Sequence, residues 1–268
     1  MLFRSAASGI GAATAALLAE EGATVAAFDR TAVSVPGGRG WAVDLADPDA
    51  ITASVGAAVT EFGAIDAVVN CAGVSVPTPV DGDGYWDAWA LTLAVNVEAY
   101  VKIIRAALDR LLESPAGRIV NVASTEGLGA TPYLSPYTVS KHGVIGLTRS
   151  LACELGPRGV NVNCVCPGPI RTGMTAPIPD DAKAVYARRR VPLGRYGQMH
   201  ELCNLLTLLQ SDGCNYITGA NIAIDGGHHL AAPSTFAEMG KLTPDDWAQA
   251  KAVVRARAEQ EKKQRSTG

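Results

Sequence analysis

The stretch SGIGAATAALLAEEGATVAAFD, residues 8–29, decides the fold. It opens on Gly9 and Gly11, runs through an Ala- and Leu-rich segment from Ile10 to Glu21, breaks at Gly22 and ends in a short apolar run closed by Asp29. Glycines at a helix start let the backbone turn tightly and bring amide donors close to an anion, and the helix N-terminus adds positive potential. Such a start also arises from packing alone, so the following strand has to be read with it. That strand, Thr24 to Phe28, delivers Asp29 about 20 residues after the glycines, the spacing at which a carboxylate accepts from adenine ribose hydroxyls. Ser8, Gly9, Ile10 and Gly11 are therefore read as a phosphate-binding turn, and helix plus strand as one unit of a parallel sheet.

The alternation continues outward. Short apolar runs predict strands at Gly40 to Val43, Ile65 to Val69, Arg118 to Val122, Val160 to Val165 and Asn221 to Ile224. Between them, helices are predicted from Pro48 to Phe62, Trp86 to Leu112, Pro136 to Leu155 and Met199 to Gln210, with Gly22 and Gly63 at helix ends. Thr31 to Arg39 is too short for a crossover helix and reads as a loop or single turn. The expected fold is a three-layer α/β/α Rossmann fold with a doubly wound parallel sheet over residues 1–228. Residues 229–268 form a C-terminal extension, with Thr243 capping a helix from Trp247 to Lys262. That tail either covers a pocket or a neighbouring subunit, or is a solvated helix.

The 268 residues are 48% hydrophobic and 18% charged, a composition that supports a packed core rather than disorder. A net charge of -3 offers no concentrated positive face for nucleic acid or an anionic membrane, so a small molecule is the expected partner. No segment has the length of a membrane span, and Met1 to Ser5 lack the apolar run of a secretory signal, which predicts a cytoplasmic protein. The six cysteines are read as reduced core thiols. Cys164 and Cys166, two apart on a strand, point the same way with no histidine nearby. His228-His229 reads as a solvated loop, and no metal site is expected.

Asp29 repels the extra phosphate of NADP, so NAD(H) is favoured as cofactor. Arg30 beside it could bind that phosphate, which leaves NADP(H) open. Asp44 and Leu45 follow the third strand and Asn70, Ala72 and Gly73 the fourth, at the carboxyl edge where parallel sheets bind ligands. Tyr137 and Lys141 stand four apart on a helix predicted to start with Ser135 as cap and Pro136 at its first position, so they share a face. A tyrosine holds its proton to pH ~10, but a neighbouring ammonium and an oxidised nicotinamide favour the phenolate. Ser124, just past the fifth strand, can hydrogen-bond a substrate oxygen. Seen alone, a Tyr/Lys pair at this spacing is ordinary helix surface.

From residue 6 to residue 228 the chain resembles the short-chain dehydrogenase/reductase family. The resemblance is carried by Tyr137-Thr138-Val139-Ser140-Lys141, by Ser124 in Asn121-Val122-Ala123-Ser124, and by Asn96 in Asn96-Val97. It implies that Tyr137, Lys141, Ser124 and Asn96 are the active-site residues, with Asn96 holding a water that links Lys141 to solvent. It also implies that Pro167-Gly168-Pro169-Ile170-Arg171-Thr172 grips the nicotinamide carboxamide through Ile170 and Thr172, and that Gly219 and Asp225-Gly226-Gly227 mark a last strand at a subunit interface. The implied activity is interconversion of a secondary alcohol and a ketone with Tyr137 as acid and base, in a homodimer or homotetramer.

The beginning departs from the family's opening, a full strand followed by Thr-Gly-x-x-x-Gly-x-Gly. Arg4 and Ser5 stand in place of Thr-Gly with few residues before them, so the first strand is expected to be truncated or altered. Leu2-Phe3-Arg4-Ser5 also matches a translation of the codons CTC-TTC-CGA-TCT, the end of a common sequencing adapter, and is read as non-native. Substrate identity is expected in three segments: Val74 to Trp89, Glu126 to Leu134, and a lid from Met174 to Gly197. Pro77, Pro79, Leu128 and Leu134 lean toward a nonpolar ring or chain. Arg188-Arg189-Arg190 with Arg195 reads either as a solvated basic helix face or as a contact for an acyl-carrier or coenzyme A thioester, which makes a 3-oxoacyl thioester reductase an alternative. A noncatalytic dinucleotide-binding protein and an inactive truncated homologue are the remaining alternatives.

Overall fold

Strands in the computed structural model pair only in parallel, because each is returned to the same edge by an intervening segment. The structure describes residues 1–4, 9–31, 33–230, 243–246, 248–249 and 251–253. The strands are β1 (Leu2–Arg4), β2 (Ala26–Asp29), β3 (Arg39–Ala42), β4 (Ala67–Asn70), β5 (Arg118–Val122), β6 (Asn161–Pro167) and β7 (Asn221–Ile224). Their order in the sheet is β3-β2-β1-β4-β5-β6-β7, so the winding direction reverses beside β1 and opens a crevice at the carboxyl edge.

The helices are α1 (Gly9–Glu20), α2 (Pro48–Phe62), α3 (Tyr85–Leu93), α4 (Ala99–Glu113), α5 (Ser135–Leu155), α6 (Asp180–Arg190) and α7 (Met199–Leu208). They cover both faces of the sheet, and successive strand residues serve opposite faces. Ala26, Phe28, Val68 and Ile119 join Ile51, Val55, Ile103 and Leu111 of α2 and α4. Val25, Ala27 and Val69 meet Ala15 and Leu18 of α1, while Val120 and Val122 meet Leu202 and Leu206 of α7. Strands buried on both sides read as continuous apolar runs, which is why they were visible in the sequence.

Two details of the helices differ from the sequence reading, while the first strand is truncated as expected. The first strand is short but in place: Leu2 pairs with Ala26 on one side and Val68 on the other, and its side chain is buried in the core. The single predicted helix from Trp86 to Leu112 is interrupted between α3 and α4 by a π segment, Ala94–Glu98. Ser135 does not cap α5; it is the first helical residue, Leu134 precedes it, and the Ser135 hydroxyl lies 2.8 Å from the Tyr85 hydroxyl instead. Within the predicted lid, α6 forms with Asp180 and Asp181 in its first turn and Arg188, Arg189 and Arg190 in its last, each charge placed to complement the helix dipole. Thr31 to Arg39 contains no helix among its described residues.

The chain divides into two compact units, Met1–His229 and Leu230–Gly268. In the second, the Thr243 hydroxyl accepts from the Asp246 amide at 3.2 Å and donates to the Asp246 carboxylate at 2.7 Å, a cap on helical residues 244–246. Residues 248–249 and 251–253 are helical, and the other positions of the predicted Trp247 to Lys262 helix lie outside the described residues. No helix among the described residues is long and apolar enough to cross a membrane.

Candidate active site

Helix α5 presents Tyr137 and Lys141 on one face toward the carboxyl end of β5, as the four-residue spacing requires. Lys141 is 2% exposed; its ammonium donates to the Val122 carbonyl at 2.9 Å and lies 5.5 Å from the centre of the Tyr137 ring. The Val122 carbonyl also accepts from the buried Tyr100 hydroxyl, at 3.2 Å, and that hydroxyl reaches the Ala72 carbonyl at 2.7 Å. A long flexible ammonium is thus held by backbone oxygens fixed in the sheet.

Ser124 leaves β5 in extended conformation and starts the short 3-10 turn Thr125–Gly127, where its hydroxyl accepts from the Glu126 amide at 3.2 Å. That bond leaves the serine O–H able to donate. Burial pushes the Tyr137 phenol above the ordinary tyrosine value; the Ser124 hydroxyl opposes this and the Glu126 carboxylate adds to it. The direction is opposite to the depression expected from a neighbouring ammonium, because removing a phenolate from water is the larger effect.

Asn96 sits inside the π segment, a widened turn of the kind that recurs at functional sites. Its fully buried amide donates to the Val74 carbonyl and to Ser140 Oγ, both at 3.0 Å, and accepts from the Val74 amide at 2.8 Å. Asn96 therefore binds the loop after β4 to α5. Gly73 lies beside it, where a Cβ would stand 3.4 Å from Lys141 Nζ and 3.6 Å from Asn96 Oδ1.

A cavity of about 160 Å³ joins these groups at the carboxyl edge, lined by Ile10, Gly73, Ser124, Tyr137, Lys141, Pro167, Ile170 and Thr172 together with Cys71, Ala123 and Pro169. At its α1 end, Gly9 has a φ of +58°, a backbone conformation that favours glycine, and a Cβ there would meet no atom of the described residues within 4 Å. A glycine at the start of α1 and another beside Lys141 fit an extended dinucleotide lying from the α1 N-terminus to Tyr137.

Other expected cofactor residues lie apart from this cavity. Asp29 ends β2 half-buried, its carboxylate 3.5 Å from the Thr31 amide, with Arg30 exposed beside it. Asp44 is exposed and accepts from the Ala46 amide at 2.9 Å, whereas Leu45 is a core residue packed with Val43 and Ile51. The Asn70 side chain turns into the core, donating to Asn121 Oδ1 at 2.9 Å, and Ala72 is buried. Ser8 lies outside the described residues. Thr175 went unread in the sequence: its hydroxyl donates to the carbonyls of Ile170 and Thr172 and accepts from the Thr172 amide, which shapes the loop after β6. A lone threonine in a loop has no pattern that announces such a role.

All six cysteines are free, and four are buried; Cys153 is exposed and Cys71 half-exposed, which corrects the reading of all six as core residues. Among the described residues no group of three or more His, Cys, Asp or Glu is arranged to hold a metal. Arg188, Arg189 and Arg190 are exposed, and Arg195 forms a two-pronged pair with Glu201 at 2.7 and 2.8 Å.

A family model described as enoyl-(acyl carrier protein) reductase matches residues 5–229. The chain is 37% identical over 237 residues to a 3-oxoacyl-(acyl-carrier-protein) reductase of Thermotoga maritima, covering 84% of this chain and 96% of that protein. It is 37% identical over 240 residues to the D-threitol dehydrogenase of Mycolicibacterium smegmatis, covering 85% and 92%. Among solved structures, 4-hydroxyisoleucine dehydrogenase complexed with NADH superposes with a TM-score of 0.78 at 31% identity, over 86% of this chain and 98% of that one. The chain belongs to the short-chain dehydrogenase/reductase family.

Proposed function

We propose that the protein is an NAD(H)-dependent dehydrogenase that interconverts a secondary alcohol and a ketone, with Tyr137 as the acid and base. The observation that carries the reading is the meeting of Ser124, Tyr137 and Lys141 in one cavity with Gly73, Ile170 and Thr172. A nicotinamide dinucleotide, when bound, supplies the hydride acceptor or donor. Gly9, Ile10 and Gly11 would hold its phosphates, Asp29 its adenine ribose, and Ile170 and Thr172 its carboxamide. Ser124 donates to the substrate oxygen and orients it, and Tyr137 takes the carbinol proton in oxidation and returns one in reduction. Lys141, fixed by Val122, holds positive charge next to the phenol and favours its phenolate form. Asn96 positions the loop that carries Gly73 past Lys141.

The carboxylate of Asp29 at the end of β2 supports NAD over NADP, and exposed Arg30 is the group through which NADP would enter. Six free thiols suit a reducing compartment, and we place the protein in the cytoplasm. Apolar side chains left exposed on α3, α4 and α5 support self-association as a dimer or tetramer.

The test mixes purified protein with NAD or NADP and a panel of neutral diols, cyclic alcohols and 3-hydroxyacyl thioesters, following absorbance of the reduced cofactor. Turnover with NAD and its loss in Tyr137→Phe support the reading. Cofactor binding without turnover of any member favours a noncatalytic binder, and preference for thioesters favours the 3-oxoacyl reductase reading suggested by the Thermotoga relative.

A further inference from the structure

The turn after β6 is held along its two edges by unlike means. On one edge Gly197 pairs with it as a neighbouring strand would: the Arg171 amide donates to the Gly197 carbonyl and the Gly197 amide to the Pro169 carbonyl, both at 2.9 Å. Successive residues of an extended backbone direct these groups to alternate sides, so the Ile170 carbonyl and the Thr172 amide fall on the other edge. There a single hydroxyl serves both: Thr175 Oγ1 accepts from the Thr172 amide at 3.0 Å and lies 2.9 Å from the Ile170 carbonyl. The Thr172 carbonyl is also within reach, at 3.1 Å. A hydroxyl has one proton, however, and that carbonyl already accepts from the Thr175 amide at 3.1 Å, so the proton is assigned to Ile170. Ile170, Thr172 and Thr175 all line the cavity that contains Ser124, Tyr137 and Lys141.

We propose that Thr175 is a positioning residue for the nicotinamide end of the cofactor. Its hydroxyl takes the place of a neighbouring strand's backbone, fixes the Ile170 carbonyl and the Thr172 amide at the cavity wall, and so presents Ile170 and Thr172 ready to grip the carboxamide. A carbonyl oxygen accepts two hydrogen bonds, which lets Ile170 receive a carboxamide N–H beside the Thr175 hydroxyl. Without that hydroxyl the turn keeps only its Gly197 edge and has to be ordered as the cofactor binds, which costs affinity. The effect falls on one end of the dinucleotide, because Gly9 and Asp29, the residues assigned to its phosphates and adenine ribose, belong to α1 and β2. This rests on the dinucleotide reading of the same cavity and adds to it a residue beyond Pro167–Thr172.

Calorimetric titration of the full chain with three probes separates the two ends of the cofactor: NADH, ADP-ribose, which lacks the nicotinamide, and the reduced 3-acetylpyridine analogue of NAD, whose methyl ketone has no N–H to donate. Thr175→Val keeps the shape of the side chain and removes the hydroxyl. It is expected to weaken NADH roughly three- to ten-fold, the range for one neutral hydrogen bond, and to leave ADP-ribose unchanged. The wild-type preference for NADH over the acetylpyridine analogue should shrink in the same variant, and Thr175→Ser should restore both. If circular dichroism shows that Thr175→Val has lost its secondary structure, Thr175→Ala carries the same comparison. Equal NADH binding in wild type and variant overturns the proposal, as does a loss shared by NADH and ADP-ribose, an unchanged preference between NADH and its analogue, or a serine variant no better than the valine one. A wild type that binds none of the three probes overturns the dinucleotide reading and the proposal with it. Oxidation of alcohols with NAD is followed separately: the expected losses without turnover of any alcohol would overturn the alcohol–ketone reading and leave the role of Thr175 standing.

Discussion

Tyr137 stands between opposed influences on one proton. Burial and the Glu126 carboxylate hold the proton on the phenol, and the Ser124 hydroxyl favours its release. Oxidation of an alcohol needs the phenolate, so kcat/KM for oxidation should rise with pH along a limb displaced upward by burial, and reduction, which needs the phenol, should fall along the same limb. Removing the Glu126 charge in Glu126→Gln moves that limb to lower pH while Lys141 still faces the ring, which a pair of pH–rate profiles would show. An unmoved limb would mean that another group titrates. Tyr137→Phe keeps the ring and removes the transferable proton, so kcat should drop by about 10²-fold or more, read from reduced-cofactor absorbance; near-normal turnover would remove Tyr137 from its role. Tyr137 and Lys141 were legible as a pair because four positions along one helix bring them together, and as an active site only through the family motifs around them. Glu126 was not, since its meaning comes from Thr131 and Thr138 meeting it across a turn and a helix.

Elements set how firmly those side chains are held. The π segment Ala94–Glu98 aims Asn96 at Val74, and Asn96→Ala leaves the Val74 amide and carbonyl without their partner. A loss of about 1 to 3 kcal/mol in urea unfolding is expected, with kcat falling as the loop beside Lys141 loosens; unchanged stability would show that water replaces the amide fully. The start of α7 offers a pH-dependent case. Glu201 accepts from the Gln198 amide at 2.7 Å and pairs with Arg195, which lowers its carboxyl to about 2. A depressed folded value contributes stability above the ordinary carboxylate range that is lost as pH falls toward the folded value. Glu201→Ala should therefore cost about 1 kcal/mol at neutral pH, and the gap to wild type should narrow near pH 3. A constant gap would assign the effect to packing. Helix spans were legible from apolar period and end signals, but the π segment was not, because one extra residue in a turn leaves the composition of 86–112 unchanged. Ser135 failed as a cap for a related reason: Tyr85, fifty positions away, binds its hydroxyl first.

The sheet as a whole was readable because most residues of the interior strands are apolar, and only β1 resisted, since three residues carry no period. Its place follows instead from its neighbours: a gap between β2 and β4 would leave two ladders unpaired, and Leu2–Arg4 fills it in register with both. What the sheet and its helices do not cover is the outer surface of α3, α4 and α5. Trp86 is 74% exposed there, Val101 41% and Val139 45%, and Leu91 is exposed as well. Monomeric proteins seldom leave large aromatic and β-branched side chains in water on adjacent helices, and α3 packs on α5, so these residues belong to neighbouring elements. A second copy presenting the same helices would bury them by symmetry, because a two-fold interface uses one patch twice. Light scattering on a sizing column should then return twice or four times the 27.7 kDa of the chain. The double variant Trp86→Ser, Val139→Ser should shift the mass toward the monomer with the secondary structure retained. A wild type that elutes as a monomer at micromolar concentration would leave that surface without a partner and remove self-association from the account.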